Sequence, residues 1–184
     1  MENLRAHSKA SLETFDKLLF WGKSLVKGIS LQQQNIQTAE YINDSLELRK
    51  INTNEKNITI NNRTPSDLTV YSDPSIFDFI IRNLVANALK YTPKNGTIEI
   101  NSDRVSKPGF TIFSVTDSGI GIDKNLLPTI FSSLKSRLGT ENEKGNGIGL
   151  MLCKEFAVQN GGDIWVESIE GKGSTFYFSV KNVS

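Results

Sequence analysis

A polar stripe on an otherwise apolar predicted helix is the first group of residues that could do chemistry. Asn83 and Asn87 lie four residues apart, so a helix places both on one face, and Lys90 follows on the next turn. An amide oxygen is a hard, neutral ligand that suits Mg²⁺, and a nearby lysine can neutralise phosphate charge. Taken alone, the pattern is equally typical of two asparagines that face solvent.

A second candidate group comes directly after an apolar segment, FTIFSV, which has the character of a strand. The segment leads into Asp117, Gly119, Gly121 and Ile122, in the motif DSGIGI. Glycines let the backbone turn sharply and let a flat ligand approach closely, and the Asp117 carboxylate can accept a hydrogen bond from an exocyclic amine. On its own, an aspartate with glycines at the end of a strand also makes an ordinary turn.

A third group of glycines stands immediately before a predicted helix. Gly145, Gly147 and Gly149 alternate with other residues in the motif GNGIGL, which also contains Ile148 and Leu150. Backbone N–H groups at the start of a helix form an anion site, so phosphate is the expected ligand. The motif resembles part of a dinucleotide-binding fingerprint, but a Rossmann fold is not indicated, because no strand leads directly into the motif and no βαβ unit surrounds it.

The segment between these two glycine motifs has the composition of a lid. After Phe131, residues 132–144 are polar and carry Lys135, Arg137 and Lys144. A lid that closes over a nucleotide and brings cations to its phosphates would supply the positioning and electrostatics that phosphoryl transfer requires. The alternative is a disordered surface loop.

The composition bounds the size of the fold and excludes some function classes. The 184 residues suffice for one compact domain with an additional segment, and 38% hydrophobic and 22% charged residues are ordinary for a globular protein. A net charge of +1 gives no reason to expect a nucleic acid or an anionic membrane as a partner. The single cysteine, Cys153, favours a reducing compartment. We therefore expect a cytoplasmic location without membrane contact by this chain, in a parent protein that can still carry a membrane anchor.

The elements that must position these residues follow from hydrophobic periodicity. Asp73-Pro74 supplies an N-cap and a proline at the first position of a strong amphipathic helix, which ends at Thr92-Pro93. Helices are also expected over 38–49 and 150–159, and the polar stretch 32–37 is expected to be a connection. Strands are expected over 57–62, 67–71, 97–101, 110–116, 163–167 and 174–180. The predicted fold class is α+β, a two-layer α/β sandwich whose mixed, mostly antiparallel sheet carries helices on one face.

An N-terminal helix is predicted to precede this sandwich. Six positions alternate at spacings of three and four residues, the a/d rhythm of a helix with one narrow seam: Leu12, Phe15, Leu19, Gly22, Val26 and Ile29. Such a seam favours a partner helix. Neighbouring apolar residues widen the stripe, so a surface helix packed on its own domain is the alternative.

In order and spacing, the motifs over residues 36–181 resemble the N, G1, F and G2 boxes and the closing strands of the histidine-kinase catalytic domain, a member of the GHKL ATP-binding superfamily. The motifs that carry the resemblance are NLVANALKYTP, DSGIGI, IF, GNGIGLMLCKEF, NGGDIWVES and GKGSTFYFSV. The resemblance implies a Bergerat-type sandwich that binds Mg²⁺ and ATP. It implies Asn87 as the metal ligand, with Asn83 and Lys90 near the phosphates as the catalytic residues.

The resemblance further implies how the chain holds adenine. Tyr91 would lie against the base, Asp117 would accept from its amine, and Thr175 would help to hold a water on the adenine side. The other residues of the implied nucleotide site are Gly119, Gly121, Ile122, Phe131, Gly145, Gly147, Ile148, Gly149 and Leu150.

The residue one helical turn before Asn87 favours a kinase over an ATPase. The ATPases of the superfamily place a glutamate there to activate water, whereas this chain has Asn83. An amide cannot act as a general base, so hydrolysis should be slow and the γ-phosphate should be kept for transfer. A GHKL-type ATPase, a serine kinase with the same pocket and a non-catalytic nucleotide-binding module remain the alternatives.

The resemblance also sets the expected domain organisation. Residues 1–35 resemble a partial dimerisation helix and its linker, and 36–184 resemble the ATP-binding catalytic domain. His7, the only histidine, lacks the following acidic residue and proline of a His box, so we interpret it as an ordinary exposed side chain. The expected partners are a dimerisation helix with the phospho-accepting histidine, absent from this chain, and the receiver domain of a response regulator. The parent protein is expected to be a homodimer.

Overall fold

The computed structural model describes residues 31–49, 53, 55–132, 139–141 and 147–183. The helix predicted over 12–29, the lid cations Lys135, Arg137 and Lys144, and the predicted site residue Gly145 lie outside these residues.

The described chain forms one mixed sheet of seven strands, in the order β1-β3-β7-β5-β4-β2, with β6 paired to β7. The β2–β4 pair is parallel and the other pairs are antiparallel. The predicted mixed, mostly antiparallel sheet is therefore confirmed. The strands are β1 (Gln34–Gln37), β2 (Thr59–Asn62), β3 (Thr69–Ser72), β4 (Thr97–Asp103), β5 (Phe110–Asp117), β6 (Asp163–Ile169) and β7 (Gly173–Asn182).

The helices α1 (Thr38–Glu47), α2 (Pro74–Tyr91) and α3 (Ile148–Gln159) form the second layer, and α2 contacts both of the others. Helix α2 begins as predicted, because the Asp73 carboxylate caps it by accepting from the backbone N–H groups of Ser75 (2.9 Å) and Ile76 (3.3 Å). A single turn of 3₁₀ helix, Leu127–Thr129, lies between β5 and α3.

The helices cover one face of the sheet. On β5, Phe113 and Val115 are buried while Ser114 and Thr116 are half-buried, which is the alternation of a strand with one covered face. The Phe113 ring lies 5.2 Å from that of Phe77 on α2, measured between centroids, so the buried side chains of β5 point toward the helices. This alternation decides which residues at the strand ends can reach a common site.

The stretch 32–37 corrects the prediction of a simple connection. Residues 34–37 form strand β1, which pairs antiparallel with β3 and places Ile36 opposite Val70. Its polar composition concealed the strand, since an edge strand is held by backbone hydrogen bonds and here only Ile36 is buried. The sheet thus includes Gln34 and Asn35, which lie before the predicted boundary at residue 36.

Strand β2 is shorter than predicted. It begins at Thr59 and not at Asn57, because Asn57 has a left-handed φ of 52° that a strand does not accommodate. Lys56 precedes Asn57 and lies against the C-terminal end of α2, where its ammonium donates to the Leu89 carbonyl.

Candidate functional site

Asp117 lies at the end of β5 and is 5% exposed. Its Oδ1 accepts a hydrogen bond from the Gly119 backbone N–H at 2.8 Å, and the Ser174 backbone N–H also donates to the carboxylate. Burial raises the pKa of Asp117 to about 6, against the lowering effect of these two hydrogen bonds. A buried acceptor of this kind suits a ligand that brings its own N–H donor.

The glycines after Asp117 allow the turn to lie directly against the end of α2. A Cβ atom on Gly119 would stand 2.5 Å from both Asp117 Oδ1 and the Tyr91 carbonyl oxygen, so no other residue fits there without movement. The Ile120 N–H donates to the Tyr91 carbonyl at 3.2 Å. Gly121 has a φ of +65°, and a Cβ there would overlap the carbonyl oxygen of Ile169.

Two serines complete this part of the site, and the sequence analysis missed both. The Ile122 N–H donates to the Ser168 hydroxyl at 2.9 Å. That hydroxyl lies 2.9 Å from the hydroxyl of Ser174, which stands directly across from Asp117 in the β5–β7 register. We call Asp117, Gly119, Ile122, Ser168 and Ser174 the aspartate end of the site.

The placement of Thr175 corrects its predicted role. Thr175 pairs in register with Thr116, and their hydroxyl oxygens lie 3.1 Å apart on the face of the sheet away from the helices. Side chains alternate along a strand, so Thr175 cannot reach the face where Asp117 lies. Ser174 takes the predicted position, and the alternation of buried Phe176 and Phe178 was the signal that could have identified it.

The predicted stripe on α2 is formed as expected. Asn83 is 7% exposed, and its side-chain amide donates to the Phe79 carbonyl at 2.7 Å, within the helix. Asn87 and Lys90 are half-buried. The Lys90 ammonium lies 4.8 Å from the centroid of the Tyr91 ring. We call Asn83, Asn87, Lys90 and the first turn of α3 the asparagine end.

Helix α3 packs against α2. The Asp73 N–H donates to Asn160 Oδ1 at 3.1 Å, and the rings of Phe79 and Phe156 are 5.1 Å apart, so the start of α2 meets the end of α3. The two helices therefore run antiparallel.

Gly147 makes the start of α3 suitable for an anion. It is the N-cap with a left-handed φ of 71°, and Ile148, Gly149 and Leu150 form the first turn. The first turn of a helix carries the positive end of the helix dipole, which favours a negatively charged ligand. Phe131 packs against β7, with its ring centroid 6.4 Å from that of Phe176.

The donor set for a metal ion is neutral. Within the described residues, no group of three or more His, Cys, Asp or Glu side chains could hold an ion. Mg²⁺ commonly takes one or two protein oxygens and completes its shell with waters and phosphates of a ligand. The half-buried Asn87 amide fits that mode of binding.

A buried carboxylate beside a glycine turn, together with the polar stripe of α2 and the N-terminus of α3, is typical of a nucleotide site. The sequence profile described as "Histidine kinase-, DNA gyrase B-, and HSP90-like ATPase" matches residues 72–184, and the chain belongs to this family. Membership makes the sandwich an ATP-binding domain. The resemblance stated from the motifs is confirmed.

Known proteins of this kind include several named as sensor kinases. The adaptive-response sensory kinase SasA of Synechocystis sp. is 31% identical over 90% of this chain and 43% of its own length. The sensor histidine kinase WalK of Bacillus subtilis is 36% identical over 66% of this chain and 20% of its own. The chain thus spans less than half of either relative.

The fold is also that of a solved catalytic domain. A nucleotide-free structure of the catalytic domain of histidine kinase ThkA superposes with a TM-score of 0.71 at 29% identity, over 82% of this chain and 96% of that one. This confirms the predicted α/β sandwich. Among the helices in the described part of the chain, none is long and apolar enough to span a membrane.

Proposed function

We propose that this chain is the catalytic domain of a two-component sensor histidine kinase, which transfers the γ-phosphate of ATP to a histidine on a dimerisation helix. The observation that carries the proposal is the combination of a buried Asp117 acceptor with Asn83 at the position where an ATPase needs a glutamate. The first feature supports purine binding. The second supports retention of the γ-phosphate for transfer.

At the aspartate end, the chain's own groups would recognise adenine. The Asp117 carboxylate would accept from the exocyclic amine, and Tyr91 would lie against the base. Gly119 and Gly121 would keep this carboxylate in place, since a side chain at either position would overlap the backbone of Tyr91 or Ile169 and displace the turn that follows Asp117.

At the asparagine end, α2 and α3 would bind the phosphates. Asn87 would hold Mg²⁺ through its amide oxygen, and Lys90 and the N–H groups of the first turn of α3 would neutralise phosphate charge. When bound, Mg²⁺ offsets the negative charge that develops during phosphoryl transfer. Asn83 would orient the phosphates without activating water, because its amide has no basic lone pair to take a proton.

The organisation of the parent protein belongs to this proposal. The residues before β1 would be a partial dimerisation helix and linker, and the chain from β1 onward the catalytic domain. The partners would be a phospho-accepting dimerisation helix and a response-regulator receiver domain, in a cytoplasmic region of a homodimer. The similarity to SasA and WalK, which are named as sensory or sensor kinases, supports this arrangement.

The test is transfer to a supplied acceptor. The chain would be incubated with γ-labelled ATP, Mg²⁺ and a histidine-containing dimerisation helix, with an Asp117→Ala variant in parallel and phosphate release followed throughout. We expect label on the histidine, little free phosphate and no transfer by the variant. Rapid phosphate release would instead identify an ATPase, label on serine a serine kinase, and binding without either a nucleotide-binding module.

A further inference from the structure

Lys56 is a buried lysine that belongs to none of the site motifs. It is 5% exposed, and its ammonium donates to the carbonyl oxygens of Leu89 (3.0 Å) and Lys90 (3.3 Å) and to the hydroxyl of Thr140 (2.8 Å). An ammonium has three N–H donors, and these three acceptors match them. Such compensation is what a buried charge requires.

The ammonium completes the C-terminal end of α2. The last carbonyls of a helix have no partners within it and carry partial negative charge. The Ala88 carbonyl accepts from the Thr92 N–H at 3.0 Å, and the Tyr91 carbonyl accepts from the Ile120 N–H at 3.2 Å. Lys56 donates to the two carbonyls between them, those of Leu89 and Lys90. Each of the last four carbonyls of α2, from Ala88 to Tyr91, therefore accepts a hydrogen bond.

Thr140 joins the chain before α3 to the same helix end. Its backbone N–H donates to the Lys90 carbonyl at 3.1 Å, and its hydroxyl lies 3.2 Å from the Thr92 carbonyl, to which it can donate while it accepts from Lys56. The neighbouring Glu141 pairs with Lys94, with 3.4 Å between the charged atoms. Thr140 is therefore fixed to the end of α2 by both its backbone and its side chain, and Glu141 is paired with a residue that follows the helix.

The backbone of Lys56 is itself fixed from the other side. Its carbonyl accepts from the Asn95 N–H at 2.9 Å, in the turn that follows α2. The side chain of Asn57 donates to Asn95 Oδ1 at 2.8 Å. The backbone of Lys56 is thus held independently of the contacts that its ammonium makes, so the side chain can support the end of α2 from a fixed position.

We propose that Lys56 and Thr140 are a pair of positioning residues for the nucleotide site. Neither contributes a ligand contact. Their hydrogen bond sets the place of the last turn of α2, and through it the places of Lys90 and Tyr91, relative to the chain that leads to α3. This inference rests on the proposed function, since it assigns Lys90 and Tyr91 to nucleotide binding.

The first test uses Thr140 variants of the full 184-residue chain, and Lys56 variants follow only where they unfold cooperatively, because replacing a buried lysine can prevent folding. Thr140→Val removes the hydroxyl that Lys56 contacts and keeps the backbone bond, whereas Thr140→Ser keeps both. We expect Thr140→Val to weaken Mg²⁺-ATP binding, measured by calorimetry, by about tenfold and Thr140→Ser to remain within about twofold of the wild type. Thermal unfolding of both variants would serve as the control for the fold.

A double-mutant cycle separates positioning from general destabilisation. If Lys56 acts through Thr140, then Lys56→Met and Lys56→Met/Thr140→Val should bind equally weakly, and Lys56→Arg should recover most of the affinity. Wild-type affinity in a folded Thr140→Val variant would overturn the inference alone. Absence of nucleotide binding by the wild type would overturn the proposed function, and this inference with it.

Discussion

The two ends of the site are built by different means. At the aspartate end, Asp117 and Gly119 are buried, and the turn after β5 is fitted to the carbonyls of Tyr91 and Ile169. At the asparagine end, Asn87 and Lys90 are half-buried side chains on a helix surface. We infer that selection of the base would depend on a backbone fit that exists before binding, whereas phosphate binding would depend on charge and on a helix end.

The largest effect should come from breaking the backbone fit at the aspartate end. Gly121→Ala combines an unfavourable positive φ with overlap of the Ile169 carbonyl, so we expect the free energy of unfolding to fall by about 3 kcal/mol. Gly171→Ala is the matched control, because Gly171 also has a positive φ, +80°, but a Cβ there would meet nothing within 4 Å. It should cost about 1 kcal/mol. Urea unfolding measures both values, and equal losses would contradict the argument from close contact.

The second prediction concerns the pH dependence of stability that Asp117 confers at the aspartate end. Because the folded-state pKa of Asp117 is raised to about 6 from an ordinary 3.8, protonation favours the folded form. The contribution is fully present below pH 3.8 and is lost as the pH rises through 6. The shift corresponds to about 3 kcal/mol. The unfolding free energy of the wild type, minus that of Asp117→Asn, should therefore rise as the pH falls from 7 to 4. A pH-independent difference would show that burial does not penalise this carboxylate.

Nucleotide affinity should respond differently at the two ends. Asp117→Asn replaces an acceptor oxygen, so it should weaken adenosine and ATP alike, by up to about 100-fold. Lys90→Met removes a charge near the phosphates and should weaken ATP by about tenfold while leaving adenosine unchanged. Calorimetry with both ligands makes the comparison. Loss of adenosine binding in Lys90→Met would remove the distinction between the ends.

The smallest effect distinguishes two adjacent residues of β7. Ser174→Ala removes a hydroxyl on the face of Asp117 and should weaken ATP binding by about fivefold. Thr175→Val changes only the opposite face, where the hydroxyl contacts Thr116, and should bind within about twofold of the wild type. The reverse order of affinities would restore the assignment of Thr175 to the site.

The sequence predicted the structure correctly where several signals close together in the chain indicate the same element. Helix α2 has an N-cap, a proline at its first position and apolar residues with helical spacing, so its bounds and its polar stripe were both predictable. Asp117 was predictable because β5 is long and apolar and is followed by glycines. These features depend on residues close together in the chain.

The parts that the sequence did not predict depend on distant contacts. Strand β1 is polar, and only its pairing with β3 makes it a strand. The inward direction of Ser174 follows from the β5–β7 register, and the contact between Lys56 and Thr140 joins residues 84 positions apart. Composition and spacing carry no record of such pairings, because the fold alone brings these residues together.

The most direct test of the account is calorimetric titration of the wild-type chain and of Asp117→Asn with ATP, with and without Mg²⁺. We expect Mg²⁺-dependent binding by the wild type that is lost or strongly weakened in the variant, while both proteins unfold cooperatively. Equal affinity in the two proteins, or no binding by the wild type, would contradict the assignment of the aspartate end to adenine.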